Sequence, residues 1–418
     1  MKKSTKIASI AALTVTLGMG SMLAIPQTHQ ALEEVAAKAV VNADSVAGKK
    51  VELNIANYGA QANNPNFDNG PIISRLINDL PKSGGTIVIP EGDYYVKSPI
   101  KVNHSFVTIK GTNDGWRSGV DPANSNGQSF GGSHLVLEGS GDAIDVASPD
   151  SHRITGVEFQ NFGITNNGSK GTGINIQSDN DHFVISGMAF KGLETPIKDK
   201  GADAIHIEDN IIAENHNGIE LTGASQQAII NNNSIGAQPG GSGIFLQNAN
   251  DYDVTGNTVY PDGKQGILLY NPVHGAITGN VISSYGTGLI TMLSSNGNDS
   301  NGNFGNCNEI SGNQLTINKW NGGYGYDTKW GAIHISGYGN NISNNTIEMD
   351  GMPANPTGIL IMHGDNNMMN GNTIDPLHAN NAKIVINGGA SHNIVTASVY
   401  NSEFQNGLNN TNKNVPLS

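Results

Sequence analysis

The sequence predicts an all-β chain wound as one right-handed parallel β-helix, a single domain behind an N-terminal capping helix. Three observations lead there. A short apolar segment recurs at near-regular spacing, a second ladder runs in phase with it, and turn-forming residues are in excess. The first series runs Ile207-Glu-Asp-Asn-Ile-Ile212, Ile230-Asn-Asn-Asn-Ser-Ile235, Val254-Thr-Gly-Asn-Thr-Val259 and Ile277-Thr-Gly-Asn-Val-Ile282. It continues through Ile310-Ser-Gly-Asn-Gln-Leu315, Ile342-Ser-Asn-Asn-Thr-Ile347 and Met369-Asn-Gly-Asn-Thr-Ile374. The shared Asn falls at 210, 233, 257, 280, 313, 345 and 372, at intervals of 23, 24, 23, 33, 32 and 27. The second ladder includes Gly173-Ile-Asn-Ile, Gly218-Ile-Glu-Leu, Gly243-Ile-Phe-Leu, Gly266-Ile-Leu-Leu, Gly288-Leu-Ile-Thr, Ala332-Ile-His-Ile and Gly358-Ile-Leu-Ile. A coil of this length cannot bury its own apolar face, but stacked coils share one continuous core. The recurring Asn reads as a ladder of amides satisfying backbone groups inside a turn.

Composition agrees. Gly contributes 54 and Asn 56 of 418 residues, about a quarter of the chain, and both tolerate tight corners. Charged residues are 14%, too few for a disordered chain or a long-helix protein. The net charge of −13 leaves no basic footprint for nucleic acid. Cys307 is the only cysteine, so no disulfide forms within the chain.

The elements follow in order. Lys2, Lys3 and Lys6 precede an apolar run from Ile7 to about Leu23, which reads as a signal peptide over 1–39 with cleavage after Ala31 or Ala39. The run is short for a membrane span, so a secreted protein with no membrane anchor is expected. Residues 40–50 read as a linker, 51–403 as the parallel β-helix domain and 404–418 as a loose tail. Gly70–Leu80 carries helical apolar spacing at Ile72, Ile73, Leu76, Ile77 and Leu80, and would cap the first coil. Gly84-Gly-Thr-Ile-Val-Ile-Pro-Glu-Gly-Asp-Tyr94 then starts the strands, and is similar to the first strands of pectin-lyase-type β-helices.

In the second ladder the middle residue should point outward. That column reads Asn175, Glu220, Phe245, Leu268, Ile290, His334 and Leu360. A solvated face would be polar, so this apolar strip predicts cover, by a neighbouring subunit before the chain's own insertions. Two carboxyls break the pattern. Asp209 takes a corner slot held elsewhere by Gly256, Gly279, Gly312, Gly371, Asn232 or Asn344, and Glu220 is the one acid of that column. Apolar cover favours a neutral carboxyl, as a general acid requires. Taken alone, each reads first as a surface acid, in a turn or on a strand. Their separation is about half a coil, so they converge around a corner or across an interface.

The stretch Gly171–Gly223 resembles the inulin fructotransferases, exported enzymes that turn inulin into difructose anhydrides. The matching segments are GTGINIQSDNDHFVISGMAF, KGADAIHIEDNIIAE and GIELTGASQQA. Weaker similarity continues to about residue 400 through GAIHISGYGNNISNN and GILIMHGDNN. The resemblance implies a homotrimer with active sites between subunits, and catalytic Asp209 and Glu220. It implies no cofactor and a fructan or difructose anhydride substrate, with difructose anhydride III (DFA III) as the expected product. The loop GAQPGGSG and the loop Asn318–Gly331 depart from the family pattern, which leaves product choice and the cyclising or hydrolytic outcome open.

Further substrate contacts are expected from Trp320, Tyr324, Tyr326 and Trp330, whose rings can stack on sugars, with Asn175 and His334 on the outward column. The polar turn of Asp179, Asp181 and His182 is read as no metal site, because nothing else supplies ligands. Two alternatives remain. One is a hydrolase of the same family that opens the anhydride, and the other is a non-catalytic or other-glycan β-helix surface protein. A pectin-type lyase or polygalacturonase would need clustered carboxylates that the sequence lacks.

Overall fold

The computed structural model describes residues 50–412, apart from 115–130, 149–151, 167, 169, 178–179, 237–239, 263–264, 295–304, 319–329, 353–355, 376–381, 388–389, 397 and 399–410. The signal peptide, nearly all of the linker, Asp179, Trp320, Tyr324 and Tyr326 therefore lie outside the described residues.

Each coil contributes one strand to each of three parallel sheets. One coil runs His206–Glu208 in sheet 1, Ile211–Ala213 in sheet 2 and Ile219–Thr222 in sheet 3. The next coil stacks in register, with Ile207 against Ile230, Ile212 against Ile235 and Ile219 against Ile244. The sheets hold 14, 11 and 11 strands among the described residues. Period-2 alternation sends these isoleucines inward, where they are buried in columns. Burial of one face of every strand is what the short repeat achieves by stacking.

The helix α1 (Gly70–Asn78) starts with Pro71 in its first turn and buries Ile73, Leu76 and Ile77 over the first coil. The Asn ladder is present at the corner between sheets 1 and 2. Asn210 donates from its backbone N and its Nδ2 to Asn233 Oδ1, at 3.1 and 2.9 Å. The same pair of bonds repeats from Asn233 to Asn257 and onward to Asn372. Each Nδ2 also reaches a backbone carbonyl of the preceding coil, as Asn233 does to Ile207 O at 2.9 Å. Every amide is thus satisfied while buried.

A second amide ladder, at the corner between sheets 3 and 1, escapes the sequence pattern. It joins Asn308, Asn340, Asn367 and Asn393. Earlier coils hold Ile205, Ala228, Tyr252 and Gly275 just before the same strands, so no Asn repeat is visible there. Tyr252 bridges the two regimes. Its ring fills the space over Gly275, where a Cβ would lie 2.0 Å away, and its hydroxyl donates to Asn308 Oδ1 at 3.0 Å.

Two expectations about the outward column need correction. Ile290 points inward, paired with Ile267 and Ile333, and Thr291 takes its place beside Leu268 and His334. The Gly288 corner, at φ +72°, carries one extra residue, Leu289, which shifts the strand by one and so flips its faces. Glu220 is also not the only acid of the column. The register adds Lys101, Asp145 and Lys198, and places Asp145 three rungs before Glu220. Beyond residue 403, Thr411–Asn412 adds a further strand to sheet 1 beside Ile394–Thr396.

Asp199 is buried at the inner end of the strand Thr195–Asp199. Its carboxylate accepts from Ala202 N at 3.1 Å and from Ser225 Oγ at 2.9 Å. Burial pushes its pKa up to about 7, against the pull of these donors. A pKa raised in the folded state gives stability that is full below the ordinary aspartate value and lost as pH rises through about 7. Asp199→Asn keeps an acceptor but does not titrate. Thermal midpoints at pH 5 and pH 8 should fall less between the two values in this variant than in the parent.

Candidate active site

Glu220 lies mid-strand in Ile219–Thr222, with Ile219 and Leu221 buried on either side of it in the chain. Its own side chain projects outward and is half-buried. In the ladder it is flanked by Lys198 on one rung and Phe245 on the next. Burial raises its pKa above the ordinary glutamate range. Lys198 and His216 oppose the rise, and Glu194 adds to it. His216 Nε2 and Glu194 Oε1 stand 3.8 Å apart. This environment favours a carboxyl that keeps its proton.

Lys198 acts on that balance, and its removal should push the Glu220 pKa higher still. If Glu220 works as an acid, Lys198→Met will move the alkaline limb of the pH–kcat profile to higher pH. The profile of the variant against that of the parent checks this.

Asp209 sits at the corner between sheets 1 and 2, exposed, in the left-handed conformation at φ +57°. The same conformation is held by Asn232, Gly256, Gly279, Gly312, Asn344 and Gly371 at φ +53° to +67°. Asp is among the residues that tolerate it. Sheet 3 lies across the coil from this corner, with all of sheet 2 and a second turn between Asp209 and Glu220 along the chain. Within one copy the two carboxyls therefore face different sides of the molecule and do not converge around a corner.

Asn175 shares the outward column with Glu220, two rungs away with Lys198 between them, and donates from Nδ2 to Asp142 Oδ2 at 2.9 Å. His334 lies four rungs to the other side of Glu220, with Trp330 stacked on it. Sequence reasoning missed Lys198, because Thr-Pro-Ile-Lys-Asp lacks the Gly-Ile signature of its neighbours. It also missed Glu194 and His216, which lie in turns beside the repeat. Among the described residues no group of three or more His, Cys, Asp or Glu is placed to hold a metal. No helix among them is long and apolar enough to cross a membrane.

The inulin fructotransferase [DFA-I-forming] of Arthrobacter globiformis is 30% identical over 378 residues, covering 81% of this chain and 92% of the relative. The chain belongs to the inulin fructotransferase family. DFA-IIIase from Arthrobacter chlorophenolicus A6, solved without its lid in complex with GF2, superposes with a TM-score of 0.74 at 24% identity, over 88% of this chain and 99% of that one. A mutant of the same enzyme in complex with DFA-III gives 0.74 at 23% identity, with the same coverage. These two structures share the fold of this chain. A sequence-family model described as periplasmic copper-binding protein (NosD) matches residues 136–330, less than half of the chain.

Proposed function

We propose that this member of the inulin fructotransferase family is secreted, assembles as a homotrimer, and cleaves β-2,1-fructan by intramolecular fructosyl transfer, releasing a difructose dianhydride. The observation that carries this reading is Glu220, a half-buried carboxyl with a raised pKa, aligned between a lysine and an apolar strip. Glu220 gives its proton to the glycosidic oxygen as the fructosyl bond breaks. Asp209 of a neighbouring copy faces the developing oxocarbenium charge. A hydroxyl of the adjacent fructose attacks the anomeric carbon and passes its proton to Asp209, which closes the ring of the cyclic disaccharide. Water must stay out for this attack to win over hydrolysis.

The trimer rests on two findings. Asp209 and Glu220 are on different sides of one copy, and the outward column turns apolar at Phe245 and Leu268. Secretion rests on Lys2, Lys3, Lys6 and the apolar run that follows them. DFA III is our expected product. DFA I is the alternative favoured by the name of the 30% identical relative.

The test is incubation with inulin and, separately, with difructose anhydride III, followed by chromatography of the products. Release of a difructose anhydride from inulin supports the reading, and its retention time separates DFA I from DFA III. Free fructose alone from inulin overturns cyclisation. Opening of the anhydride with inulin untouched assigns the hydrolase alternative.

A further inference from the structure

Sheet 3 carries a second cluster of aromatic and polar side chains beyond the apolar strip. His334 projects outward from Ile333–Ser336, yet it is only 3% exposed. Its ring centroid lies 4.7 Å from that of Trp330, with the planes tilted by 34°. The same imidazole hydrogen-bonds to the Trp330 backbone, while its Nδ1 is buried with no partner among the described residues. The bond therefore runs through Nε2, which carries the proton, and leaves Nδ1 as a bare acceptor. Burial pushes the His334 pKa down to about 4, and His363 adds to this, so the ring is neutral near pH 7. His363 sits on the adjacent strand, paired with Ser336, and its Nδ1 is also buried with no partner among the described residues.

A buried acceptor without a donor is costly, and native folds seldom leave one. Such an acceptor at His334, with a second unpartnered imidazole nitrogen on the adjacent strand, calls for a donor-rich occupant. Trp330 is only half-buried, with His334 behind one face of its ring. A ring backed in this way makes a flat apolar platform next to two unpartnered imidazole nitrogens. A sugar chain matches both features, because it offers C–H faces to the platform and hydroxyl donors to the nitrogens.

We propose that Trp330, His334 and His363 form a remote subsite that grips the fructan chain away from the bond being cleaved. This rests on the fructan reading above. Four rungs at about 4.8 Å each separate His334 from Glu220, roughly 19 Å along the sheet. A short oligosaccharide seated at Glu220 does not span that length, whereas a polymer does. The subsite therefore selects for chain length and leaves the chemical step alone.

The experiment compares long-chain inulin with a fructan trisaccharide, using Trp330→Ala, His363→Ala and the milder His363→Gln. For the two alanine variants, KM on long-chain inulin should rise roughly fivefold to tenfold. The trisaccharide KM, both kcat values, the thermal midpoint and the oligomer size should stay at parent levels. His363→Gln, which keeps an acceptor, should lose less. Parallel KM changes on both substrates, no change on either, or a change in oligomer size overturns the subsite. If the parent turns over no fructan, the catalytic reading has failed by itself. Direct calorimetric binding of inulin to the parent and to Trp330→Ala then decides the subsite, with equal binding by the two counting against it.

Discussion

Glu220→Gln is expected to lower kcat on inulin by about 10²–10⁴-fold, the usual worth of a positioned general acid. Gln keeps the size and shape of the side chain between Lys198 and Phe245, so packing survives. It cannot supply the proton that the leaving oxygen needs. Burial already disfavours the charged carboxylate, so a neutral amide should not cost stability, and the thermal midpoint should hold or rise. Steady-state rates with inulin, alongside thermal unfolding of the same preparation, check both halves. Activity within tenfold of the parent would remove Glu220 from the chemistry.

Asp209→Asn should be equally inactive, losing about 10²-fold or more, and equally well folded. The corner itself supplies the control. Asn232 and Asn344 hold the same left-handed slot in other coils at φ +53° and +55°, so the backbone accepts Asn there. Asp209→Ala confuses the two effects, because a Cβ without a side-chain hydrogen bond costs roughly 1–2 kcal/mol in that conformation. An inactive Asn variant with a parental unfolding curve assigns the charge a chemical role. An active one returns Asp209 to the corner as a turn residue.

The fold was legible because one physical demand repeats in every coil. An Asn that satisfies the backbone of its neighbour must recur, and Asn210 through Asn372 do so in the predicted positions. Legibility failed where the demand changed partway along the chain. The ladder from Asn308 to Asn393 has no counterpart in earlier coils, where Tyr252 and a bare Gly275 fill the same space. Ile290 was misplaced because spacing alone does not reveal an extra corner residue, and a one-residue slip exchanges inside for outside. Glu220 stood out because an acid sits in line with Phe245 and Leu268. Lys198, Glu194 and His216 carry no such signal, since charged residues beside a turn are ordinary. Their meaning comes only from lying next to Glu220 in space.

The central claim is that two carboxyls on different sides of one copy meet only when copies assemble. Mixing the two inactive variants tests it. Asp209→Asn and Glu220→Gln chains, co-expressed or unfolded and refolded together, form mixed oligomers in which some sites pair an intact Asp209 from one chain with an intact Glu220 from another. The measurement is release of difructose anhydride from inulin by the mixture, against each variant assembled alone. The account predicts that activity returns to a substantial fraction of the parent level in the mixture and in neither variant by itself. Mixed oligomers that stay as inactive as the separate variants would contradict it.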